Sequence, residues 1–398
     1  MKVKITSSKI VKPAYAGGVA PSAGETVPLS VFDTVTYDVH VAVIYAFRPP
    51  NPPNAALERG LAAALAAYRE WAGQLVVAGD DGPDGRPASA LLAAVDAPLA
   101  RSMPFKPSPE LLRLHPRVDG EEEPQPLVQV QLTRFACGSL VVGFTAHHRV
   151  ADGQATSNFL VAWGLASRGL PVSPLPVCDR ATRFAPRDPP LVEFPHRGTE
   201  YRLRVAKKKV HFTKEFVSRL KSRASSGSDL TTAPQQRGRS GYSTFESLVG
   251  HLWRAITAAR GLGAGDVTKL RVSVNGRSRM RPPDLIHRAV SRVDDAYFRS
   301  FVDFASSGAV EAEALAPTAD EAQAVLCPDL EVDSWLGIDF YDLDFGGGGP
   351  FHFMPSYLPM EGTLFLLPSF LGDGGVEAYV SLFEGHLEEF KRICYNIA

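Results

Sequence analysis

Long apolar runs are missing from this 398-residue sequence. None approaches the roughly 20 consecutive apolar residues that a membrane-spanning helix needs, so no membrane partner is expected. An excess of either charge is missing too. Lys and Arg number 42 against 43 Asp and Glu, a formal net charge of −1, and the single basic block is "KKK" at 207–209. Binding to phosphates needs a basic face, which argues against nucleic acid as the main partner. The opening "MKVKITSSKIVKP" lacks an apolar h-region, so no secretory leader is expected. Cysteine is scarce: Cys137, Cys178, Cys327 and Cys394 stand far apart, with no CxxC pair. That spacing offers neither a disulfide framework nor a zinc cluster and points to reduced thiols in a cytosolic protein. Internal repeats are absent. "GLGAGD" at 261–266 lacks the third glycine and the strand-to-helix context of a nucleotide loop, so it reads as a turn.

What is present is an ordinary globular composition, 45% hydrophobic and 21% charged, in a chain long enough for two domains. Residues 3–12 and 36–47 read as strands. A helix capped by Asn54 follows, with Leu57, Leu61, Leu65, Tyr68, Ala72 and Leu75 on one stripe. Residues 126–136 alternate, Val128, Val130 and Leu132 on one face and Gln129, Gln131 and Thr133 on the other. Residues 139–146 run apolar on both faces, as a central strand does. A helix from about Gly153 closes at Gly169, and the proline-rich residues 170–200 read as an ordered crossover. Beyond lie a strand at "KKKVHF", a helix from Thr213, a mobile polar stretch at 225–241, and an amphipathic helix near 285–306. Ser243 and Glu246 have capping-box spacing at the head of another helix, with Phe245, Leu248, Leu252 and Ile256 on one face and Gly261 at its end. The mixture is α/β or α+β with mixed sheets.

"HHRVADG" at 147–153 sits at the end of the apolar strand. Successive strand residues alternate direction, so only one of His147 and His148 can face a given cleft. A metal reading lacks a third ligand near His148 and Asp152, and no metal site is expected. Packing and general-base readings both stay open on these residues alone. The base reading asks for a neutral imidazole over a cleft, a carboxylate that holds the next turn, and a glycine that lets it reverse. Ser139 and Ser157 lack GxSxG context, which argues against a serine hydrolase.

The motif resembles the HxxxD(G) signature of the plant BAHD acyl-CoA transferases, and the resemblance runs nearly end to end. "LSVFD" at 29–33, "YREWAGQL" at 68–75, "RFACGSL" at 134–140, "CDR" at 178–180, "HLWRA" at 251–255 and "VNGRSRM" at 274–280 are similar to family blocks. The second signature, DFGWG in most members, stands here as "DFGGG" at 344–348. "VIYAF", "EVDSWL", "FMPSYLP" and "LPSFLGDG" resemble the cereal branch that acylates amines with hydroxycinnamoyl-CoA.

The resemblance implies two chloramphenicol-acetyltransferase-like domains, each a mixed sheet with helices, meeting at a tunnel: residues 1–185, a crossover at 186–200, and residues 201–398. It implies a cytoplasmic monomer that takes acyl-CoA as co-substrate and a small amine as acceptor, with no permanently bound cofactor. It assigns His148 as the general base and gives His147 no required role. Asp152 and Gly153 support the motif, with Arg277 as the partner of a buried Asp152. Asp344 enters as a second catalytic-motif candidate, and the resemblance puts it, with Phe345, Gly346, Gly347 and Gly348, in a loop distant from the base that shapes the fold and the CoA end of the tunnel. For a dicationic acceptor, Asp333, Asp342 and Glu361 are candidate partners; for an aromatic one, Phe351, Phe353 and Tyr357 are candidate lining residues.

One departure stands out. After "VNGRSRMRPP" the chain passes directly to "DLIHRAVSRVDDAYF", where the family has several tens of further residues. The second domain is then incomplete, which sets a catalytically impaired paralogue beside the N-acyltransferase reading, with an O-acyltransferase as a third.

Overall fold

The structure is a computed structural model that describes residues 1–18, 27–34, 36–75, 89–105, 108–116, 126–193, 206–226, 242–263, 266–272, 294–308, 326–356 and 360–396. The chain packs as two units. The first holds Met1–Pro190, Val302–Glu321 and Ile338–Tyr357; the second holds Leu191–Phe301, Ala322–Gly337 and Leu358–Ala398.

The first unit contains strands β1 (Lys4–Ile10), β2 (His40–Phe47), β3 (Ser89–Val95), β4 (Val128–Phe135) and β5 (Leu140–His147). The second supplies β6 (Ala206–Phe212), β7 (Leu270–Val272) and β8 (Leu330–Ser334). Strand β9 (His352–Pro355) returns to the first unit, and β10 (Thr363–Pro368) and β11 (Val376–Leu382) complete the second. The first sheet has the order β1-β3-β4-β5-β2-β9. Its β3–β4 pair is parallel and the other pairs are antiparallel. The apolar reading of β5 holds: all of its residues are buried, between β4 and β2.

Helices α1 (Val31–Thr34), α2 (Asn54–Ala67), α3 (Gly153–Ser167) and α4 (Arg180–Arg183) belong to this unit. Helix α3 lies close against α2: the Trp163 indole N–H donates to Leu57 O at 2.7 Å, and a Cβ on Gly60 would come within 2.5 Å of Ser167 N. Phe159 of α3 stacks on Trp71 with ring centroids 4.6 Å apart and meets Phe144 of β5 at 5.7 Å. This aromatic layer fixes α3, and so the turn that precedes it, to the central strand.

Three sequence expectations fail here. Pro53, not Asn54, is the N-cap of α2, and the Asn54 side-chain Oδ1 accepts instead from Arg134 Nε at 2.9 Å. The helix also stops at Ala67, and Arg69–Ala72 forms a separate 3-10 turn that buries Trp71. On the polar face of β4, Gln129, Gln131 and Thr133 are buried. Residues Leu111–His115 lie over that face, where a Cβ on Gly143 would sit 2.1 Å from Leu114 O, and Gln131 Nε2 donates to Arg113 O at 2.7 Å. Finally, residues 338–357, read from sequence as part of the C-terminal domain, join the first unit, because β9 pairs antiparallel with the edge of β2 from Val43↔Pro355 to Ala46↔His352.

In the second unit the sheet order is β6-β11-β10-β8-β7, with β10–β8 and β7–β8 parallel. Helices α5 (Lys214–Ser226), α6 (Thr244–Ala259), α7 (Asp295–Ser306, running on into the first unit's segment) and α8 (Glu384–Ile393) follow. The capping box is formed as read: Ser243 Oγ accepts from Glu246 N at 3.1 Å and the Glu246 carboxylate accepts from Ser243 N at 2.6 Å. Leu248, Leu252 and Ile256 of α6 pack with Phe212, Val332, Leu366 and Val380. The expected helix near 285–306 is observed from Asp295; residues 285–293 and most of the polar stretch at 225–241 lie outside the described residues. No described helix is long and apolar enough to cross a membrane.

Candidate active site

Strand β5 ends at His147, and its pairing with β2 sets His147 opposite His40. His147 is buried. Its Nδ1 accepts from Arg149 N at 3.3 Å, its Nε2 faces Asp38 Oδ1 at 3.3 Å, and its ring meets the His40 ring edge-on at 4.8 Å. Burial foremost, and then His40, pushes the His147 pKa down to about 4, with Asp38 opposing. Burial also lowers His40, whose Nε2 bonds Pro126 O at 2.9 Å. His147 is therefore a neutral, packed imidazole.

A titration consequence follows with a definite sign. In the unfolded chain His147 takes up a proton near pH 6.5, whereas the folded chain refuses it until about pH 4. The stabilisation is present above pH 6.5 and is lost as pH falls towards 4, amounting to about 3 kcal/mol over the whole window. Urea unfolding should show stability falling from pH 7 to pH 5, with a shallower fall in His147→Gln. An equal slope in both proteins would count against the assignment.

His148, one residue past the end of β5, is only half-buried. Its backbone N donates to Val39 O at 2.8 Å, Thr36 Oγ1 lies 3.4 Å from its Nδ1, and the Tyr37 ring is 6.2 Å away. Thr36 was not singled out from sequence, because only the β2–β5 pairing brings residues 36–39 to the motif. The turn after His148 ends at Asp152, whose Oδ1 accepts from Ala155 N at 2.8 Å and caps α3, and Gly153 opens that helix. Asp152 is exposed, contrary to the buried carboxylate expected, and Arg277 lies outside the described residues. As the cap of α3, Asp152→Ala should cost at least about 0.5–2 kcal/mol by urea unfolding, and an unchanged stability would show that the cap does not hold the helix.

The DFGGG loop docks at the other end of α3. Asp344 Oδ1 accepts from Gly346 N at 2.7 Å and Gly348 N at 2.9 Å, while Oδ2 pairs with Arg168 at 3.1 Å. Phe345 is buried edge-on against Trp163 at 4.8 Å. Gly346 (φ 104°) and Gly348 (φ 97°) adopt conformations that side-chain-bearing residues avoid. The 15 residues of α3 separate this loop from the His148 turn, a rise of about 22 Å at 1.5 Å per residue. Asp344 thus organises a loop far from the imidazole, and its carboxylate is already engaged there.

Gly347 has its own constraint. A Cβ there would lie 2.1 Å from Pro50 O, a backbone atom that cannot swing aside. Even Gly347→Ala should lower stability by about 1–3 kcal/mol, and Gly347→Trp by at least as much, read from the melting temperature. An unchanged melting temperature would mean that the loop does not rest on Pro50.

The acceptor candidates divide between the two units. Glu361 is fully buried in an ion pair with Arg260 at 2.5 Å, and its second oxygen accepts from Cys327 N at 3.0 Å, so it is not available to a cationic acceptor. Phe353 is 2% exposed and stacks on Phe340 at 4.5 Å and Tyr45 at 4.7 Å, as a core residue. Phe351 carries the Arg48 guanidinium over its ring at 4.3 Å. Asp342 is exposed in a 3-10 turn of the first unit, Asp333 is half-buried on β8 of the second, and Tyr357 lies outside the described residues. Among the described residues no cluster of His, Cys, Asp and Glu has metal-binding geometry.

The Transferase family profile matches this chain over residues 1–285 and 283–396. Agmatine hydroxycinnamoyltransferase 1 of Oryza sativa subsp. japonica is 48% identical over 452 aligned positions, covering 99% of each chain. Agmatine coumaroyltransferase-1 of Hordeum vulgare is 48% identical over 453, covering 100% of each. The 452 positions exceed the 398 residues by 54, so at least that many positions of the rice protein stand opposite no residue here. The two matched stretches meet at 283–285, where the sequence passes from Pro283 into "DLIHRAV". Among solved structures, vinorine synthase superposes with a TM-score of 0.69 at 19% identity, covering 98% of this chain and 96% of that one. TRI101 of F. sporotrichioides, complexed with coenzyme A and T-2, gives 0.67 at 18%, covering 92% and 96%. These two carry the fold: two mixed sheets with helices, of the chloramphenicol-acetyltransferase-like kind. Matched by the profile from one end to the other and by relatives of 48% identity along its length, the chain belongs to the BAHD transferase family and is an acyl-transferring enzyme.

Proposed function

We propose that this enzyme transfers a hydroxycinnamoyl or related aromatic acyl group from its CoA thioester to the amino group of a small amine, with His148 as the general base. The observation that carries the reading is the pattern of relatives. Those named for agmatine and putrescine are 48% identical along the whole chain, against 37% for tryptamine hydroxycinnamoyltransferase 2 of the same rice.

The chemistry fits the residues. An alkylamine is mostly protonated near pH 7, so it reacts as the minor free amine after giving one proton to solvent, and the attacking nitrogen loses a second as the C–N bond forms. A half-buried imidazole at a strand end can take that proton and return it to the CoA thiolate as the C–S bond breaks. The thioester is already activated, so no covalent enzyme intermediate is needed. The packed His147 is unsuited to this task, since its Nδ1 accepts from Arg149 N and its Nε2 faces Asp38. For a dicationic acceptor Asp333 and Asp342 remain the candidate carboxylates. Acyl-CoA is then a co-substrate, no resident cofactor is needed, and a monomer working in the cytosol accords with four free cysteines.

Mass spectrometry of products from p-coumaroyl-CoA with agmatine, putrescine, tyramine, tryptamine and a hydroxylated acceptor tests the reading. Amide products are expected; an ester product alone would assign an O-acyltransferase. A second reading rests on the 54 unmatched positions: a chain that keeps the fold but has lost turnover. Coenzyme A binding without product from any acceptor would favour it.

A further inference from the structure

Three of the family-like blocks have no part in the chemistry above: "LSVFD", "YREWAGQL" and "CDR". The first unit brings one charged residue of each together. Arg180 Nη1 lies 3.2 Å from Asp33 Oδ2 and its Nη2 lies 2.5 Å from Glu70 Oε2, with the three side chains 24%, 21% and 17% exposed. The same Asp33 oxygen accepts from Ser30 N at 2.7 Å and Ser30 Oγ at 2.9 Å, closing the turn that opens α1. Phe32 in α1 packs edge-on against Phe184, just past α4, at 4.8 Å. Two residues beyond α1 stands Thr36, whose Oγ1 is 3.4 Å from His148 Nδ1. Contacts thus tie Arg180 to α1, and the chain that leaves α1 brings Thr36 beside the imidazole.

We propose that Arg180 is a positioning residue for His148. By clamping Asp33 and Glu70 it holds α1 so that the Thr36 hydroxyl meets Nδ1. A hydroxyl that accepts from Nδ1–H selects that tautomer and leaves the lone pair on Nε2, the nitrogen that takes the amine proton. The inference rests on His148 acting as the base. It differs from a purely structural clamp in one respect: loss of Arg180 and loss of the Thr36 hydroxyl must act through the same imidazole.

The test compares Arg180→Gln, Thr36→Val and the double variant with the parent, using p-coumaroyl-CoA and agmatine. Each single change is expected to lower kcat about tenfold, a modest misplacement of a catalytic group, with KM for both substrates within about twofold. The double variant should fall no further than the worse single one, because the two share one route. Arg180→Lys, which keeps the charge, should recover part of the loss. Ring nitrogen chemical shifts of 15N-labelled histidine, assigned to His148 by difference from His148→Asn, need no turnover. The parent should show the Nδ1–H tautomer and both variants a mixture. Additive losses in kcat, or an unchanged His148 spectrum in Arg180→Gln, would overturn the proposal. Should Arg180→Gln fail to fold, Thr36→Val carries the test, and parental kcat with a parental spectrum overturns it. Should the parent itself not turn over, the general-base reading fails, while the spectra still decide whether the clamp sets the tautomer.

Discussion

His148→Ala is expected to lower kcat by about two to four decades, the usual worth of a general base, while leaving the urea midpoint nearly unchanged. The size follows from the setting. The imidazole is half-buried at the end of β5, reached by Thr36 Oγ1 and flanked by Tyr37. His147→Ala should behave in the reverse way. It removes a buried ring from the His40–Asp38–Arg149 group, so it should cost stability and far less turnover. Steady-state kinetics beside urea unfolding on the two variants separates the roles. Equal losses of kcat at both positions would refute the division between base and packing.

The largest loss of stability is expected in the second unit. Arg260 and Glu361 form a buried pair, with side chains 1% and 0% exposed, and Arg260 Nη1 also donates to Pro328 O at 2.9 Å and Asp329 O at 3.1 Å. The group ties the C-terminus of α6 to the segments that lead into β8 and β10, two parallel neighbours in the sheet. Glu361→Ala leaves a guanidinium buried without its carboxylate and should cost about 3–5 kcal/mol. The double change Arg260→Met with Glu361→Leu should cost much less, because no charge is then stranded. Urea unfolding of the single and double variants is the check. A single-variant loss below about 1 kcal/mol would mean that water reaches the pair. A dicationic acceptor held by Glu361 predicts a raised KM in Glu361→Gln; the geometry predicts that any effect comes through folding instead.

The parts of the fold legible in the sequence were those with local causes. The apolar run at 139–146 and the capping box at Ser243 and Glu246 depend on residues within a few positions of one another, and both formed as read. What was hidden depended on distant pairing. Nothing near His352 announces that it will stand opposite Ala46, and that pairing moves the whole DFGGG segment into the first unit. The alternation of Gln129, Gln131 and Thr133 was legible, but not what covers them: the segment over Gly143 supplies partners such as Arg113 O. At the site, the strand–turn–helix around His148 and Asp152 was legible because it is contiguous in the chain. Thr36 required the β2–β5 register. Glu361 was misread because its partner Arg260 lies a hundred residues away, where no spacing rule reaches.

The central claim, amine acylation with His148 as the base, is tested most directly by thiol release from p-coumaroyl-CoA. Free coenzyme A is followed with and without agmatine, for the purified chain and for His148→Ala side by side. The account predicts thiol release that requires the amine, matches amide formation mole for mole, and falls by at least about a hundredfold in the variant. Thiol release independent of agmatine, or retained in full by His148→Ala, would contradict it.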